Sequence, residues 1–309
     1  MVATLAKAPR RVATSRRVPA KAPARASTLG GIRGRSKASR LAAFLLGTIW
    51  LVFVLAPIYY MVLISFRSPA QYLTANAWLP TGGLTLSSYS SVFDSSGIGT
   101  YFRNSAELAV GTIIVVVLLS LAAGYRIVRR GSRFSAVSFR VILFGIAIPI
   151  QAIVIPLYFM TNKMHIYDTM FGLILVLAAS LIPVAVLLMV NYLRLIPRQL
   201  YDAMAVDGAG SWSTFTHLVI PMARPVMAVI SVYSGLGAWN NFLLPLILTQ
   251  SNSNTVLPLG MYKFASSDQY ALNVPVVMAT VVLSVLPLLF LYLGLRRQFV
   301  KGIGGFALR

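Results

Sequence analysis

Long apolar runs, separated by shorter polar segments, dominate the sequence. A membrane-spanning helix needs about 20 predominantly apolar residues to cross a hydrocarbon core about 30 Å thick, and several of these runs approach or exceed that length. The pattern therefore predicts an all-α, polytopic membrane protein with six transmembrane helices. The predicted spans are Leu41 to Phe66, Leu108 to Tyr125, Val141 to Met160, Met170 to Leu193, Val226 to Leu248 and Val274 to Leu295.

The basic residues are distributed unevenly between these spans, and their distribution gives a topology. Residues 1–40, 126–140, 194–224 and 296–309 hold eleven, five, three and four of the 27 Lys and Arg residues, whereas the alternate segments together hold four. Because short cytoplasmic segments of membrane proteins are enriched in Lys and Arg, we expect the four basic segments to lie in the cytoplasm. The sequence therefore predicts a multi-pass membrane protein with cytoplasmic N- and C-termini.

The formal net charge of +21 would suit a nucleic-acid-binding protein, but the position of the charge favours a different partner. Residues 1–40 combine their eleven basic residues with no acidic residue and are rich in Ala, Pro, Ser and Arg, a composition typical of disorder. We interpret them as a disordered cytoplasmic tail that contacts anionic membrane lipid, and we predict no nucleic-acid partner. A nucleic-acid-binding arm and a cleaved targeting peptide are the alternatives for this segment.

The polar residues of the spans indicate a transport path rather than a catalytic or metal site. The chain has no Cys, two His and six scattered Asp and Glu residues, a set that predicts neither metal ligation nor convergent catalytic groups. No Asp, Glu, Lys or Arg lies at the centre of a predicted span. A stand-alone secondary carrier or channel usually has such a residue there, so this pattern argues against that function, which is kept as the alternative. The candidate lining of a path for a neutral, polyhydroxylated solute is Gln151, Tyr158, Asn191, Trp239, Asn240 and Asn241. For the two adjacent asparagines, hydrogen bonding between helices is an equally good explanation.

A polar segment at residues 195–225, between the fourth and fifth spans, has the pattern of two short helices. Pro197 suits the first position of the first helix, and Gly208 is a natural stop after it. Between these two residues lies an apolar stripe formed by Leu200, Ala203, Met204 and Ala205.

The second short helix of this segment is predicted from its cap and its apolar spacing. Ser211 suits the cap, and Trp212, Phe215 and Val219 recur at helical spacing before Pro225, which we expect to prevent continuation of the helix. A short amphipathic helix held between two spans is suited to a groove of a partner protein. Packing of that helix on the protein's own bundle is the alternative that the pattern alone leaves open.

The residues of this segment resemble a known transporter motif. The run from Asp202 to Ala209, followed by Ile220-Pro221 and Pro225, closely resembles the EAA coupling loop of binding-protein-dependent ABC transporter permeases, which in that family inserts into a cleft of the cytoplasmic ATPase. Asp202 stands where that family usually has Glu, and Met204 where it usually has Ala. The coupling residues that the resemblance implies are Asp202, Ala203, Met204, Ala205, Asp207, Gly208, Ala209 and Pro221.

Shorter stretches in the same order extend the resemblance over residues 41–309. They are similar to the carbohydrate-uptake branch of the family, and there to the smaller permease subunit of maltose-type importers, although the ending at residues 305–309 departs from the usual close. The stretches are Asn104-Ser105, Ala122 to Arg126, Ile155 to Tyr158, Trp239 to Phe242 with Pro245, Leu257 to Gly260 and Arg297 to Gly302.

The resemblance implies a permease subunit in a bacterial plasma (inner) membrane. It would form half of the translocation path of an ATP-driven importer for a sugar, such as an oligosaccharide, a disaccharide or a similar polyol. Its permease domain would occupy residues 41–296, with a cytoplasmic C-terminal tail at 297–309. The chain has no Gly-Lys dipeptide and hence no Walker A motif. We therefore predict that it is not an enzyme and binds no cofactor, ATP and Mg²⁺ being bound by the partner ATPase. The implied partners are a second homologous permease, two copies of a cytoplasmic ABC ATPase and an extracytoplasmic solute-binding protein, for which residues 67–103 would form a docking surface.

Overall fold

The computed structural model describes residues 37–94, 97–266 and 273–307, and the regular structure of these ranges is helical, without a strand. The predicted N-terminal tail lies outside the described residues except for residues 37–40, which belong to the first helix. A π-helical segment, Phe215–Val219, joins α9 to α10. The helices are α1 (Lys37–Ser65), α2 (Pro69–Thr74), α3 (Ser87–Asp94), α4 (Ile98–Arg130), α5 (Arg133–Ala147), α6 (Ile150–Lys163), α7 (Met170–Leu193), α8 (Arg198–Val206), α9 (Ser211–Thr214), α10 (Ile220–Trp239), α11 (Leu243–Leu248), α12 (Leu257–Ser266) and α13 (Val274–Ala307).

The chain divides into two units after Val54. In the first unit the structure describes the beginning of α1, on which large apolar side chains such as Phe44, Ile49 and Phe53 are exposed. The second unit begins at Leu55 and contains the rest of the described helices. All sites discussed below lie in this second unit.

The lengths and hydropathy of the helices agree with a membrane protein. In the described part of the chain, five helices are long and apolar enough to cross a membrane, or six spans are present if the bent pair of α5 and α6 counts as one. The all-α, polytopic fold class is therefore confirmed. The last helix, α13, continues through Ala307, so most of the predicted C-terminal tail extends that helix.

The third predicted span, Val141 to Met160, is not one continuous helix. The chain bends by 104° between α5 and α6, and Ile148 at the bend has extended backbone, with φ −90° and ψ 111°. Proline disfavours the helical conformation of the residue before it and has no N–H to donate. Pro149 therefore ends α5, and the third predicted span is a bent pair of helices rather than one continuous helix.

The fifth span begins earlier than predicted, because Pro225 does not end the helix that starts at Ser211. Including the π-helical segment, the chain is helical from Ser211 to Trp239, and α11 is a separate short helix rather than the end of this span. Val219 and Val226, on either side of the proline, are buried in the core. Prolines are tolerated in packed membrane helices because neighbouring groups and local π-helical adjustments compensate for the freed backbone groups.

Helix α4 packs against α7 and α10 at the centre of the core. Gly111 and Gly124 allow a close approach to α7, since an added Cβ would lie 2.5 Å from Cδ1 of Ile174 at the first position and 2.6 Å from Cγ of Met189 at the second. Small residues permit such close packing between membrane helices. One end of α4 meets the segment around α8, and the other meets the loop before α12.

Candidate functional site

The first candidate site is the segment around α8, which resembles the coupling loop. Two hydrogen bonds close the end of this helix: the Gly208 N–H donates to the Ala205 carbonyl over 3.1 Å, and the Ala209 N–H donates to the Met204 carbonyl over 2.9 Å. Gly208 has φ +75°, in the left-handed region that glycine adopts most readily. This pair of bonds is a Schellman motif, so the predicted helix stop at Gly208 is confirmed. Pro197 lies one residue before the helix instead of at its first position.

Helix α8 is anchored by one aromatic side chain. Tyr201 is buried, and Cζ of Arg129 lies 5.9 Å from the centroid of its ring. Burial raises the pKa of the Tyr201 hydroxyl above its ordinary value, Tyr125 adds to the rise and Arg129 opposes it, so this hydroxyl is neutral at physiological pH. The buried Tyr201 ring fixes α8 to the end of α4, both by packing and by its cation–π contact with Arg129.

The surface next to this anchor is apolar and exposed. Val206 at the end of α8 is 87% exposed, and Trp212 in α9 is 75% exposed. Large apolar side chains that project together from the surface are typical of a contact site for another protein. We call Val206, Trp212 and the turn between them the loop tip.

The predicted coupling residues form one continuous surface segment apart from Pro221, which lies in the first turn of α10. The predicted apolar stripe of α8 is not buried against the bundle as a unit, since only Met204 of its four members is partly buried. The role of these residues stays a prediction. Two of these coupling residues, Met204 and Ala209, are partly buried. The exposed ones are Asp202, Ala203, Ala205, Asp207, Gly208 and Pro221.

The loop tip is tied directly to the core through Tyr125, which lies near the end of α4. The Tyr125 hydroxyl donates a hydrogen bond to the Ser211 carbonyl over 3.1 Å. Its ring lies 5.2 Å from the ring of Phe215, which in turn lies 5.7 Å from the ring of Trp212. A displacement of the loop tip would therefore be passed to α4 through packed aromatic groups.

The second candidate site is the break between α10 and α11, where three of the predicted path residues lie. Trp239 is 6% exposed and donates its indole N–H to the Ser284 carbonyl over 3.1 Å. Asn240 is exposed, and its side-chain amide donates to the Leu236 carbonyl over 3.0 Å. The Asn241 side-chain oxygen accepts the Leu244 N–H over 3.1 Å, in the first turn of α11. Both asparagines thus make hydrogen bonds to nearby backbone groups at a helix end. Neither makes, within the described part of the chain, the hydrogen bond between helices that was the alternative explanation for them.

A cavity of about 300 Å³ lies at this break. Trp239 and Asn240 line it together with Tyr262 and Ser284, so aromatic faces and polar groups share one wall. Sugars are bound by this combination, because their C–H faces stack on aromatic rings while their hydroxyls need hydrogen-bonding groups. The cavity is therefore the best-supported part of the predicted path.

Asn241 lies at the break but does not line this cavity, and neither do the other three path candidates. Gln151 is exposed in the first turn of α6, and Asn191 is exposed near the end of α7. Tyr158 packs on the same apolar cluster as Trp239, and its ring makes an edge contact with Tyr167 at 5.2 Å. The structure therefore brings together half of the predicted set.

A carboxylate outside the predicted set joins two distant loops. The carboxylate of Asp168, before α7, accepts the Gln250 N–H over 2.9 Å and the N–H and hydroxyl of Ser251 over 3.1 and 3.0 Å. The Asn254 amide donates to the carbonyl and carboxylate of Asp168 over 2.5 and 3.3 Å, and the Asp168 N–H donates to Leu248. We call this set of bonds the loop clasp.

The clasp is built around a charged group. Partial burial raises the pKa of Asp168, but the hydrogen bonds from Gln250, Ser251 and Asn254 outweigh this effect and hold the pKa below its ordinary value. Bonds to an ionised acceptor are stronger than those between neutral groups. Asp168 itself has φ +51°, which the surrounding bonds keep in place.

Helix α4 also makes hydrogen bonds to the segment between α11 and α12. The Asn104 amide donates to the carbonyls of Ser253 and Thr255 over 2.6 and 2.9 Å, and the Ser105 hydroxyl accepts the Leu257 N–H over 2.8 Å. Both side chains are almost fully buried. The dipeptide Asn104-Ser105 therefore lies within α4 and fixes the start of α12.

The predicted docking segment at residues 67–103, described except for residues 95–96, is organised by a buried arginine. Arg67 has no exposed surface, and its Nη2 donates to the carbonyls of Asn76 and Leu79. Its own carbonyl accepts the Ser88 hydroxyl over 2.6 Å. Nε and Nη1 have no hydrogen-bond partner among the described residues. Arg67 thus joins the turn after α2 to α3.

Sequence reasoning missed Asp168 because its partners lie more than eighty positions away. The local signal was a cap: Thr169 accepts the Gly172 N–H with its hydroxyl over 3.0 Å and begins α7. A carboxylate next to a cap gives no local signal for a loop that follows five later helices, α7 to α11. Among the described residues, no group of three or more His, Cys, Asp and Glu residues could hold a metal ion.

The chain resembles known transport proteins in sequence. Residues 116–305 match the family model described as a binding-protein-dependent transport system inner membrane component. The diacetylchitobiose uptake system permease protein of Streptomyces coelicolor is 31% identical over 255 residues, covering 82% of this chain and 84% of the relative. The multiple sugar-binding transport system permease protein of Streptococcus mutans is 30% identical over 270 residues, covering 86% of this chain and 96% of the relative.

The fold matches a solved transporter subunit. A chain from the crystal structure of a bacterial ABC transporter involved in the import of the acidic polysaccharide alginate superposes with a TM-score of 0.77 at 22% identity, covering 85% of this chain and 98% of that chain. With this fold, and with a family match over more than half of its residues, the chain belongs to the inner membrane components of binding-protein-dependent transport systems, the permeases of ABC transporters.

Proposed function

We propose that this permease forms half of the translocation path of a sugar importer and couples, through α8 and the loop tip, to a separate cytoplasmic ATPase. The proposed assembly contains a second homologous permease, two ATPase copies that bind ATP and Mg²⁺, and an extracytoplasmic solute-binding protein. The chain lies in a bacterial inner membrane with both termini in the cytoplasm. Its substrate is an oligosaccharide, a disaccharide or a similar polyol.

The observation that carries the coupling proposal is the exposure of the loop tip together with its rigid support. Val206 and Trp212 project at 87% and 75% exposure, while Tyr125 and Tyr201 connect the same segment to the end of α4. A partner protein that binds the exposed side chains can move the helix bundle, because the contacts between this segment and the end of α4 are closely packed. The basic segments next to α8 support a cytoplasmic location.

The sugar proposal rests on the relatives and on the cavity at Trp239. The names of the two relatives given above refer to diacetylchitobiose and to multiple sugars. The cavity of about 300 Å³ combines aromatic and neutral polar groups, and no charged residue of the described chain lines it. An uncharged cavity suits a neutral solute.

Exposed residues provide a clean test of coupling, since within this chain their replacement removes little packing beyond the contact of Trp212 with the Phe215 ring. We expect Val206→Gln and Trp212→Gln to leave membrane insertion unchanged and to weaken ATPase retention on a tagged permease by about 30-fold or more for the tryptophan, as for a central aromatic contact. Leu73→Gln is the matched control, because Leu73 is also 75% exposed but lies in α2. Undiminished ATPase retention by both loop-tip variants would overturn the coupling proposal.

A stand-alone carrier or channel is the alternative, and one experiment separates it from the proposed importer. Vesicles containing this chain alone are expected to be impermeable to sugars. Vesicles with the full assembly should import a sugar only with ATP inside the compartment that holds the ATPase and with binding protein on the other side. Sugar flux through the isolated chain would favour the carrier.

A further inference from the structure

A cavity of about 560 Å³ lies where α4, α7 and α8 meet. Its lining includes three guanidinium groups, of Arg129, Arg194 and Arg198, and one carboxylate, of Asp202. The cavity therefore has a net positive charge. It is separate from the cavity at Trp239 and from the exposed side chains of the loop tip, none of which lines it.

Two of the three arginines are held by aromatic rings. Cζ of Arg129 lies 5.9 Å from the centroid of the Tyr201 ring, and Cζ of Arg194 lies 5.5 Å from that of Phe139. A guanidinium stacked on a ring still presents its N–H groups in its own plane, in a fork that matches a phosphate. None of the arginines forms an ion pair with a carboxylate of the described chain. The donors of Arg129 and Arg194 are thus oriented, and all three arginines are exposed and available for an anion.

The remaining wall of the cavity is apolar and continues from the spans. Ile127, Leu193 and Ile196 line it and are themselves buried. The apolar part of α4 ends at Arg129, and that of α7 ends at Leu193, directly before Arg194. Basic groups at the end of two apolar spans match the position of a phospholipid headgroup at the membrane surface.

We propose that this cavity binds the phosphate headgroup of an anionic phospholipid of the cytoplasmic leaflet. The proposal depends on the proposed function for the side of the membrane on which the cavity lies. A free phosphate would need the arginines but not their position at the ends of two membrane spans. An acidic segment of the ATPase is the less favoured occupant, because the exposed apolar side chains of the loop tip lie outside the cavity. Since Tyr201 and Asp202 of α8 line the cavity, a bound headgroup would brace α8 against α4 and α7.

The test measures lipid retention by the full chain with any subunits that co-purify, extracted from nanodiscs of phosphatidylethanolamine with or without phosphatidylglycerol. Native mass spectrometry should show one or more retained phosphatidylglycerol molecules on the wild type. Because a basic residue near an anionic surface contributes about fivefold to binding, the variant with Arg194→Gln and Arg198→Gln should retain phosphatidylglycerol about 25-fold more weakly. The variant with Arg194→Lys and Arg198→Lys keeps the charge and should retain more lipid than the Gln variant.

The matched control is the pair Arg133→Gln and Arg140→Gln, which removes the same charge from exposed positions of α5 that do not line the cavity. We expect this control to retain lipid nearly as the wild type does. Equal losses in the two Gln pairs would overturn the proposal, because overall charge would then explain retention. Displacement of the lipid by millimolar inorganic phosphate would also overturn it and would indicate a free-anion site.

The ATPase arm distinguishes this proposal from the proposed function. Loss of ATPase retention in the Arg194→Gln, Arg198→Gln variant without any change in lipid retention would assign the cavity to the ATPase and overturn the lipid proposal. Lipid retention that depends on the two arginines would support the lipid proposal even if the loop-tip variants keep their ATPase, an outcome that would overturn only the coupling proposal.

Discussion

Replacing Gly208 tests whether coupling needs its left-handed backbone conformation or only the absence of a side chain at this position. The residue follows α8 at φ +75°, and an added Cβ would meet no atom within 4 Å. The left-handed conformation costs an ordinary L-residue about 1–2 kcal/mol, and Asn tolerates it better than Ala or a β-branched residue. Since 1–2 kcal/mol is a factor of about 5 to 30 in an equilibrium, Gly208→Ala should lower the ratio of native to non-native loop conformations by about that factor.

The assay is ATP hydrolysis by the reconstituted assembly in response to sugar-loaded binding protein. We expect stimulated hydrolysis to decrease in the order wild type, Gly208→Asn, Gly208→Ala and Gly208→Val, with equal amounts of each permease in the membrane. Gly210→Ala is the matched control, because Gly210 has φ −70° and its Cβ position is also open. This control should hydrolyse ATP as the wild type does.

Two results would refute the reasoning about Gly208. Wild-type hydrolysis by Gly208→Val would show that the Schellman conformation is not needed for coupling. A lower rate for Gly208→Asn than for Gly208→Ala would show that side-chain size at the partner's surface, and not the backbone conformation, limits the rate.

Three further changes test other parts of the account. Asp168→Asn should lower the free energy of unfolding by about 1 kcal/mol at neutral pH. Because the folded-state pKa of Asp168 lies below its ordinary value, this stabilisation is present above about pH 4 and is lost as the pH falls through the folded-state pKa, so the melting temperatures of variant and wild type should converge in acid; a constant difference would contradict the charged clasp. Gly260→Ala would place Cβ 2.2 Å from Cδ2 of Tyr101 and should lower the free energy of unfolding by about 1–3 kcal/mol, whereas Gly99→Ala, with nothing within 4 Å, should melt no lower than the wild type. Trp239→Phe removes the indole hydrogen bond to the Ser284 carbonyl that holds the ring beside the cavity, and should raise the KM for sugar uptake about 2- to 10-fold without loss of the ATPase; an unchanged KM would remove Trp239 from the path.

The spans were predictable where one local property decides them. Long apolar runs require a membrane or a large core, so α1, α4, α7 and α13 follow from length and hydropathy. The stop at Gly208 was equally predictable, because the left-handed conformation that ends a helix favours glycine.

Prolines were the main source of error, since the same residue has different effects in different surroundings. Pro149 ends α5 with a bend of 104°, whereas Pro225 lies inside a helix that continues. The packing of Val219 and Val226 around the second proline decides its outcome, and this packing depends on helices far away in sequence. Local preference alone therefore could not distinguish a break from a continuous helix.

The candidate sites show the same division between local and distant information. The coupling segment is contiguous, so its residues could be named from the sequence. The loop clasp joins Asp168 to Ser251 and Asn254, and no local pattern connects these positions. Asn104 could be recognised as part of a resemblance, but its hydrogen bonds to the start of α12 became visible only in the folded chain.

The central claim is that α8 and the loop tip couple this permease to a separate ATPase. The most direct test is co-purification from the native membrane with a tag on this chain, followed by an assay of ATP hydrolysis with and without the candidate binding protein. The account predicts recovery of an ATPase and a second permease from the wild type, with loss of the ATPase from a variant altered between Asp202 and Gly208. Recovery of a stable oligomer of this chain without an ATPase, or full ATPase retention by the altered variant, would contradict the account.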